Sequence, residues 1–396
     1  MSTLHLLSDQ DLAPLRAVVR DTVLPAAAAA DEGGPFPAHV YETLHQLGWL
    51  QGFIPEDLDG AGLSTLQMAQ VARCIGYGSG GVLTSALINV LAISPILLRG
   101  SEELRRRTAG RYVDTFALWA FAMTEPNAGF DVVNTRTTAR RVEGGYRLNG
   151  AKCFITNGTV ASHFTVYAVL EGASDGRRAG VLFYVPGDAP GLSRGAPLKK
   201  MGQHASDTSE IFFDDVFVPT ADRIGEEGEG LGLALRCVQR SKTIISAGAV
   251  GVADRVHELV VDHLANRRRS NGPLLALPQL QSTLAKWYTR KEAAWLLAEK
   301  AAHAWDAGDA TLEASMAKMF ASDVAVNFAN DAMEMFGGYG YTSEFEISRI
   351  YRDAKLLEIY EGTTSIQRAL VSRELFGGRL RAIRREARTP EARVAK

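Results

Sequence analysis

The chain has 396 residues, of which 46% are hydrophobic and 22% charged, with a formal net charge of −2. That composition excludes a disordered or collagen-like chain, and the near-neutral balance gives no general pull toward nucleic acid or an anionic membrane. Three cysteines, Cys74, Cys153 and Cys237, stand far apart with no CxxC spacing, which argues against a disulfide framework or a zinc site and fits a reducing, cytoplasmic setting.

The length suggests two or three domains. The start, MSTLHLLSDQDLAPLR, carries acids early and has no basic stretch ahead of an apolar run, so no signal peptide is expected. Residues 8–120 read mostly as helices. Leu12, Leu15, Val18 and Val19 recur at helical spacing, as do Val40, Leu44, Leu47 and Leu50. A turn-rich loop, Pro55 to Gly62, interrupts them. Gly76 to Leu98 carries no charge, which raises the question of a membrane span. Its glycines, Asn89 and Ser94-Pro95 favour a buried helix pair instead.

Near Phe116 the period changes. Short apolar or alternating runs at 117–122, 136–140, 146–148, 164–169, 181–185 and 211–213 read as strands. Gly144-Gly145, Asp175-Gly176 and Pro190-Gly191 punctuate them, which predicts an antiparallel β domain. After the junction Gly225 to Gly230 the helical period returns over 231–264, 278–307 and 311–336, as in a bundle. The expected fold class is α+β, mostly α. An N-terminal helical domain spans 1–117, a central antiparallel, barrel-like β domain 118–228, and a C-terminal four-helix bundle 229–396. The basic tail Arg379 to Lys396 is expected to be solvated.

Several motifs compete for a functional role. Gly76-Tyr77-Gly78-Ser79-Gly80-Gly81 matches the GxGxxG fingerprint, but it follows a helical pattern rather than a strand and reads as a helix end and turn. Ser315-Met316-Ala317-Lys318 matches SxxK in mid-helix without companion motifs and reads as structural. The eight histidines show no metal spacing, so no metal is expected. Three loops suit close approach of a ligand to the backbone: Thr124 to Asp131, Phe154 to Gly158, and Phe336 to Tyr341. Finally, Glu361 sits between Tyr360 and Gly362, just ahead of the pattern Ile366, Leu370, Val371, Phe376, with Thr363 or Thr364 placed to cap that helix. A carboxylate there is either a capping acid or a proton-abstracting base whose pKa burial raises.

Together these segments resemble the acyl-CoA dehydrogenase family over about Leu12 to Phe376. The resemblance rests on Ile54-Pro55-Glu56 and Gly60-Ala61-Gly62-Leu63, on Thr124-Glu125-Pro126 with Ala128-Gly129 and Asp131, and on Phe154-Ile155-Thr156-Asn157-Gly158. Met201-Gly202, Val216-Phe217-Val218-Pro219, Gly337-Gly338 with Gly340, Arg352-Asp353-Ala354-Lys355 and Tyr360-Glu361-Gly362-Thr363 complete it. It implies FAD-dependent α,β-dehydrogenation of an acyl thioester on CoA or a carrier protein, with a non-catalytic or monooxygenase-like relative as the alternative, an electron-transfer flavoprotein or another electron acceptor, and a homotetramer. Glu361 would be the base. FAD would meet Phe121, Met123, Thr124, Gly129, Phe130, Phe154, Thr156, Arg268, Ser270, Gln279, Glu334, Gly337, Gly338, Thr363 and Ser365. The substrate would meet Phe130, Ser241, Lys242, Tyr360 and Gly362. Some relatives carry the base on the first C-terminal helix, where this chain has Ser241. Departures from the family pattern are Phe130 for serine, Asn271 for phenylalanine, Glu334 for glutamine, and Lys242 and His204 for arginines. The last two bear on CoA recognition and suit a carrier-protein thioester.

Overall fold

The computed structural model describes residues 6–129, 131–172, 179–270 and 272–386. Phe130, Asn271, the Asp175-Gly176 turn and the last part of the basic tail lie outside them. The described chain runs helices, then strands, then helices. The first group contains α1 (Asp9–Val18), α2 (Leu24–Asp31), α3 (Ala38–Gln46), α4 (Thr65–Gly78), α5 (Gly80–Arg99), and the short α6 (Glu102–Arg105) and α7 (Arg111–Asp114). Ser8 with Asp11 and Ser64 with Gln67 form capping boxes at the starts of α1 and α4.

The Gly76–Gly81 run is a helix end and a helix start. α4 stops at Gly78, and the Ser79 side chain accepts from the N–H groups of Gly81 and Val82 to begin α5. Gly76 has a packing reason instead of a phosphate-binding one: a Cβ there would lie 2.2 Å from the Gly248 carbonyl oxygen on a later helix. Among the described residues α5 is the one helix long and apolar enough to cross a membrane, yet 83% of its most apolar window is buried inside the protein.

Eight strands form one sheet: β1 (Trp119–Ala122), β2 (Thr138–Val142), β3 (Gly145–Thr156), β4 (His163–Leu170), β5 (Gly180–Pro186), β6 (Leu192–Arg194), β7 (Thr208–Pro219) and β8 (Arg223–Ile224). The path is β6-β7-β3-β2-β4-β5-β8, with β1 beside β4. The sheet is mixed, which corrects the antiparallel expectation: β1 pairs β4 in parallel, and so does β2. The chain makes the β2–β3 hairpin before laying β4 alongside β1, so these partners are not joined by a tight turn.

The later helices are α8 (Gly230–Asn266), α9 (Pro278–Asp306), α10 (Thr311–Phe336), α11 (Glu346–Leu357) and α12 (Thr364–Glu386), with a small hairpin of β9 (Arg268–Arg269) and β10 (Gly272–Pro273) after α8. α8, about 55 Å long, packs against α4, α5, α9 and α10, and one continuous apolar core joins both helical groups. A second core lies within the sheet. Two asparagines lock α5 to β1. Asn89 Oδ1 accepts from Trp119 N at 2.8 Å, and Asn157 Nδ2 donates to Ser85 O at 3.1 Å and Trp119 O at 3.0 Å. The start of β1 and the end of β3, the latter within one of the candidate loops, are thereby fixed to α5.

Candidate active site

Glu361 lies in the break between α11 and α12, in the left-handed backbone region at φ 55°, followed by Gly362 at φ 87°. A non-glycine residue held there needs outside support. Two buried side chains give it. Gln367 Nε2 donates to the Glu361 and Gly362 carbonyls, each at 2.9 Å, and Lys318 Nζ, from α10, donates to the Gly362 carbonyl at 2.9 Å. The Glu361 carboxylate turns away from the α12 N–H groups. Its Oε1 accepts from Ser241 Oγ of α8 at 2.7 Å, while Oε2 is buried with no hydrogen-bond partner. α12 is capped instead by Thr363, the residue before it, whose carbonyl accepts from Gln367 N at 3.0 Å.

Burial raises the Glu361 pKa above the ordinary carboxylate range. Ser241, Lys242 and Lys318 all pull it down, and burial outweighs them. The same burial lowers Lys242 and brings Lys318 down to about 8, with Glu361 opposing it in both cases. Beside Glu361, the half-buried Tyr360 places its hydroxyl 3.2 Å from Thr84 Oγ1, which donates to Gln203 Oε1 at 2.8 Å. Gln203 in turn donates from its backbone N–H to the Asp353 carboxylate and from Nε2 to the Asp353 carbonyl. α5, the loop after β6 and α11 therefore brace one side of the site.

The loop after β1 is built differently. Phe121 and Met123 are buried, and Thr124 is half-buried with its carbonyl accepting from Cys153 N at 2.9 Å. The Glu125 carboxylate accepts from the N–H groups of Arg136 (2.7 Å) and Thr137 (3.0 Å) and from Lys152 Nζ (2.8 Å); Lys152 also donates to the Met123 carbonyl at 3.0 Å. Burial alone would raise Glu125, but Lys152 and the backbone donors hold it below its usual range, and burial takes Lys152 down to about 8. Phe154, at φ 55°, is 70% exposed at the end of β3, with Thr156 half-buried beyond it.

Arg268, Ser270, Gln279, Glu334, Gly337, Gly338, Thr363 and Ser365 are all exposed. The β9–β10 hairpin and the glycine turn are neighbours, since the Arg267 guanidinium lies 5.0 Å over the Tyr339 ring. Arg268, Ser270, Gln279 and Glu334 make no side-chain bond to the Glu361 cluster. His204 is not free to meet a substrate anion: Nδ1 lies 2.8 Å from the Asp31 carboxylate and Nε2 2.9 Å from the Lys200 carbonyl.

Three site residues escaped the sequence reading. Lys318, set aside as a structural mid-helix lysine, holds the loop that carries Glu361. Gln367 was hidden among the polar residues that open α12, although it is a fully buried polar residue on an amphipathic helix. Lys152 sits on a strand face whose partner, Glu125, is 27 residues earlier. The features present suit a planar, diphosphate-bearing group such as FAD. Phe154 offers an exposed ring, Arg268 an exposed cation, and nothing lies within 4 Å of where a Cβ would stand on Gly129, Gly337 or Gly338. The exposed Glu334 carboxylate can remain solvated.

The chain matches three acyl-CoA dehydrogenase domains in order: the N-terminal domain over residues 12–114, the middle domain over 120–216 and the C-terminal domain over 228–376. It is 38% identical to the cyclohexane-1-carbonyl-CoA dehydrogenase of Geobacter metallireducens, over 91% of this chain and 95% of that one. Its structure superposes on butyryl-CoA dehydrogenase from Megasphaera elsdenii with a TM-score of 0.90 at 31% identity, covering 94% of this chain and 99% of the other. It also superposes on the prolyl acyl carrier protein oxidase AnaB with a TM-score of 0.86 at 27% identity, covering 93% and 99%. A loop-borne glutamate beside a mixed sheet and a helical bundle, in a chain matched along almost its whole length, identifies this protein as a member of the acyl-CoA dehydrogenase family of oxidoreductases.

Proposed function

We propose that the protein catalyses FAD-dependent α,β-dehydrogenation of an acyl thioester, with Glu361 as the base that removes the α-proton. The observation that carries this reading is the Glu361 carboxyl group, with one oxygen anchored, the other buried without a partner, and a pKa raised by burial. A carboxylate in that state is a stronger base than a solvated one, and it can take the α-proton once the thioester carbonyl is polarised by hydrogen bonds. FAD, when bound, supplies the acceptor for the two electrons that leave with the β-hydrogen. Phe121, Met123, Thr124, Gly129, Phe154 and Thr156 would hold its ring end. Arg268, Ser270, Gln279, Glu334, Gly337, Gly338, Thr363 and Ser365 would hold the remainder, and Phe130 is assigned to both ligands. Tyr360, Gly362, Ser241 and Lys242 would border the acyl group. Gln367 and Lys318 fix the loop that carries Glu361. Anaerobic mixing of the yellow holoprotein with a panel of acyl thioesters should bleach the flavin and yield a 2-enoyl thioester. If no thioester bleaches it, while dithionite does, the assigned reaction fails.

A second reading places the acyl group on a carrier protein. His204 is engaged by Asp31, and Lys242 is buried beside Glu361, so neither offers a cation to the nucleotide part of CoA. Similarity to a carrier-protein oxidase supports the same idea. In the thioester panel, faster bleaching by carrier-bound acyl groups than by the matching CoA esters would decide for it.

We also propose a homotetramer that passes its electrons to an electron-transfer flavoprotein or another acceptor. Leu296 on α9 and Leu375, Phe376 and Leu380 on α12 are exposed on the isolated chain, and Arg268 projects at an edge where a neighbour's cofactor could meet it. Light scattering of the FAD-loaded protein should give four times the 42.8 kDa chain mass; a monomeric mass with FAD bound would contradict the assembly.

A further inference from the structure

We propose that Ser241 is a positioning residue for Glu361: its hydroxyl holds Oε1 of the carboxylate and leaves Oε2 as the atom that takes the proton. The inference rests on Glu361 being the base. Ser241 is buried on α8, and its Oγ lies 2.7 Å from Oε1, a short distance for a hydroxyl donating to a carboxylate. It is the single hydrogen bond that Glu361's side chain makes among the described residues. The two carboxylate oxygens are chemically equivalent in solution, and this contact makes them unequal.

The residues around the pair leave Ser241 no substitute. Lys242 follows it on α8, yet no group among the described residues accepts a hydrogen bond from its amine. Lys318 of α10 spends its bond on the Gly362 carbonyl. Both act on the carboxylate through their field alone, with Glu358 acting on Lys318 in turn. Tyr360, on the same loop as the base, is turned toward Thr84. Ser241 therefore does two things: it fixes the carboxylate rotamer, and it favours the ionised form against burial. In this reading Ser241 is turned toward the base, so it is not primarily a substrate contact.

The test is the pH dependence of anaerobic flavin reduction by the best thioester, for the FAD-loaded wild type, Ser241→Ala, Ser241→Thr and Glu361→Gln. Loss of a hydrogen bond to a buried carboxylate disfavours the charged form, so the base needs a higher pH to ionise. The acid limb of the Ser241→Ala profile should move up by about one pH unit or more, and Ser241→Thr, which keeps a hydroxyl, should return it toward wild type. If Ser241→Ala does not fold, Ser241→Cys, a near-isostere with a weaker donor, should shift the limb in the same direction. An unmoved limb overturns the proposal. So does a raised KM with the limb in place, which would make Ser241 a substrate contact. Continued reduction in Glu361→Gln would instead overturn the base assignment itself, and these results cannot be confused with one another.

Discussion

Glu361→Gln should keep its FAD and lose reduction by the thioester. Glutamine preserves the shape of the side chain and can still accept from Ser241, but it cannot take up the α-proton. Loss of a general base costs on the order of 10² to 10⁴ in rate, and more where water cannot replace it. Dithionite should still bleach the variant, because that electron transfer needs no base. Glu361→Asp should be slow rather than inactive, since shortening the side chain withdraws the carboxylate by roughly 1 Å, which can cost about a hundredfold. The wild-type pH profile carries the same signature. If Glu361 is the base, reduction needs the ionised carboxylate, so its rate should rise with pH through a limb lying above the ordinary carboxylate range, the direction in which burial moves Glu361. If Glu361→Gln reduces at a near-normal rate with its best thioester, Glu361 is not the base.

The largest expected loss of stability lies elsewhere, at Lys152. Its side chain is fully buried and bonded to the Met123 carbonyl and the Glu125 carboxylate. Lys152→Met leaves that carboxylate buried with two backbone donors and no cation, which costs about 3–5 kcal/mol. Urea unfolding should show the deficit directly. The deficit should shrink toward acid pH. In the wild type the paired Glu125 has a lowered pKa, so the stability it contributes is present above its unfolded value and is lost as pH falls through the folded one. In the variant the unpaired acid gains protons more readily when folded, so its stability recovers as pH falls. Adding Glu125→Gln to Lys152→Met should restore part of the loss, because the stranded charge is gone. A stability equal to wild type near neutral pH, where Glu125 is ionised, would show that the pair contributes little. Because Glu125 follows Thr124 directly, weaker retention of FAD should accompany the destabilisation.

Much of this protein could be read from its sequence because the signals are local. Helical spacing marked α8, α9 and α10 to within one or two residues, whereas the caps at Ser64 and Ser79 emerge only with the structure. Glu361 was legible for a related reason: an acid between an aromatic and a glycine, ahead of a helix, signals a break in the chain. The parallel pairing of β1 and β2 with β4 was not legible, since strand direction is set by the route of the chain and leaves no pattern in either strand. Lys318 and Lys152 were missed for the same physical reason. Each is a lone cation in an apolar run, and its meaning depends on a carbonyl 44 residues later or a carboxylate 27 residues earlier. Gln367 differs. Its partners are close in sequence, but a side chain that bonds backbone carbonyls has no partner residue type by which to recognise it.

The burial of α5 has a consequence for how the chain is made. Its apolar window has a mean hydropathy of 2.0, enough for a membrane span, and part of its cover is α8, which begins at Gly230, over a hundred residues after α5 ends at Arg99. At typical synthesis rates of about 5–20 residues per second, that interval lasts roughly 7 to 26 seconds. Throughout it the nascent chain carries an apolar segment that lacks part of its final cover. The polar Asn89 and Ser94, which in the finished fold bond to carbonyls within α5, lower the hydropathy of the emerging segment while it waits for its cover.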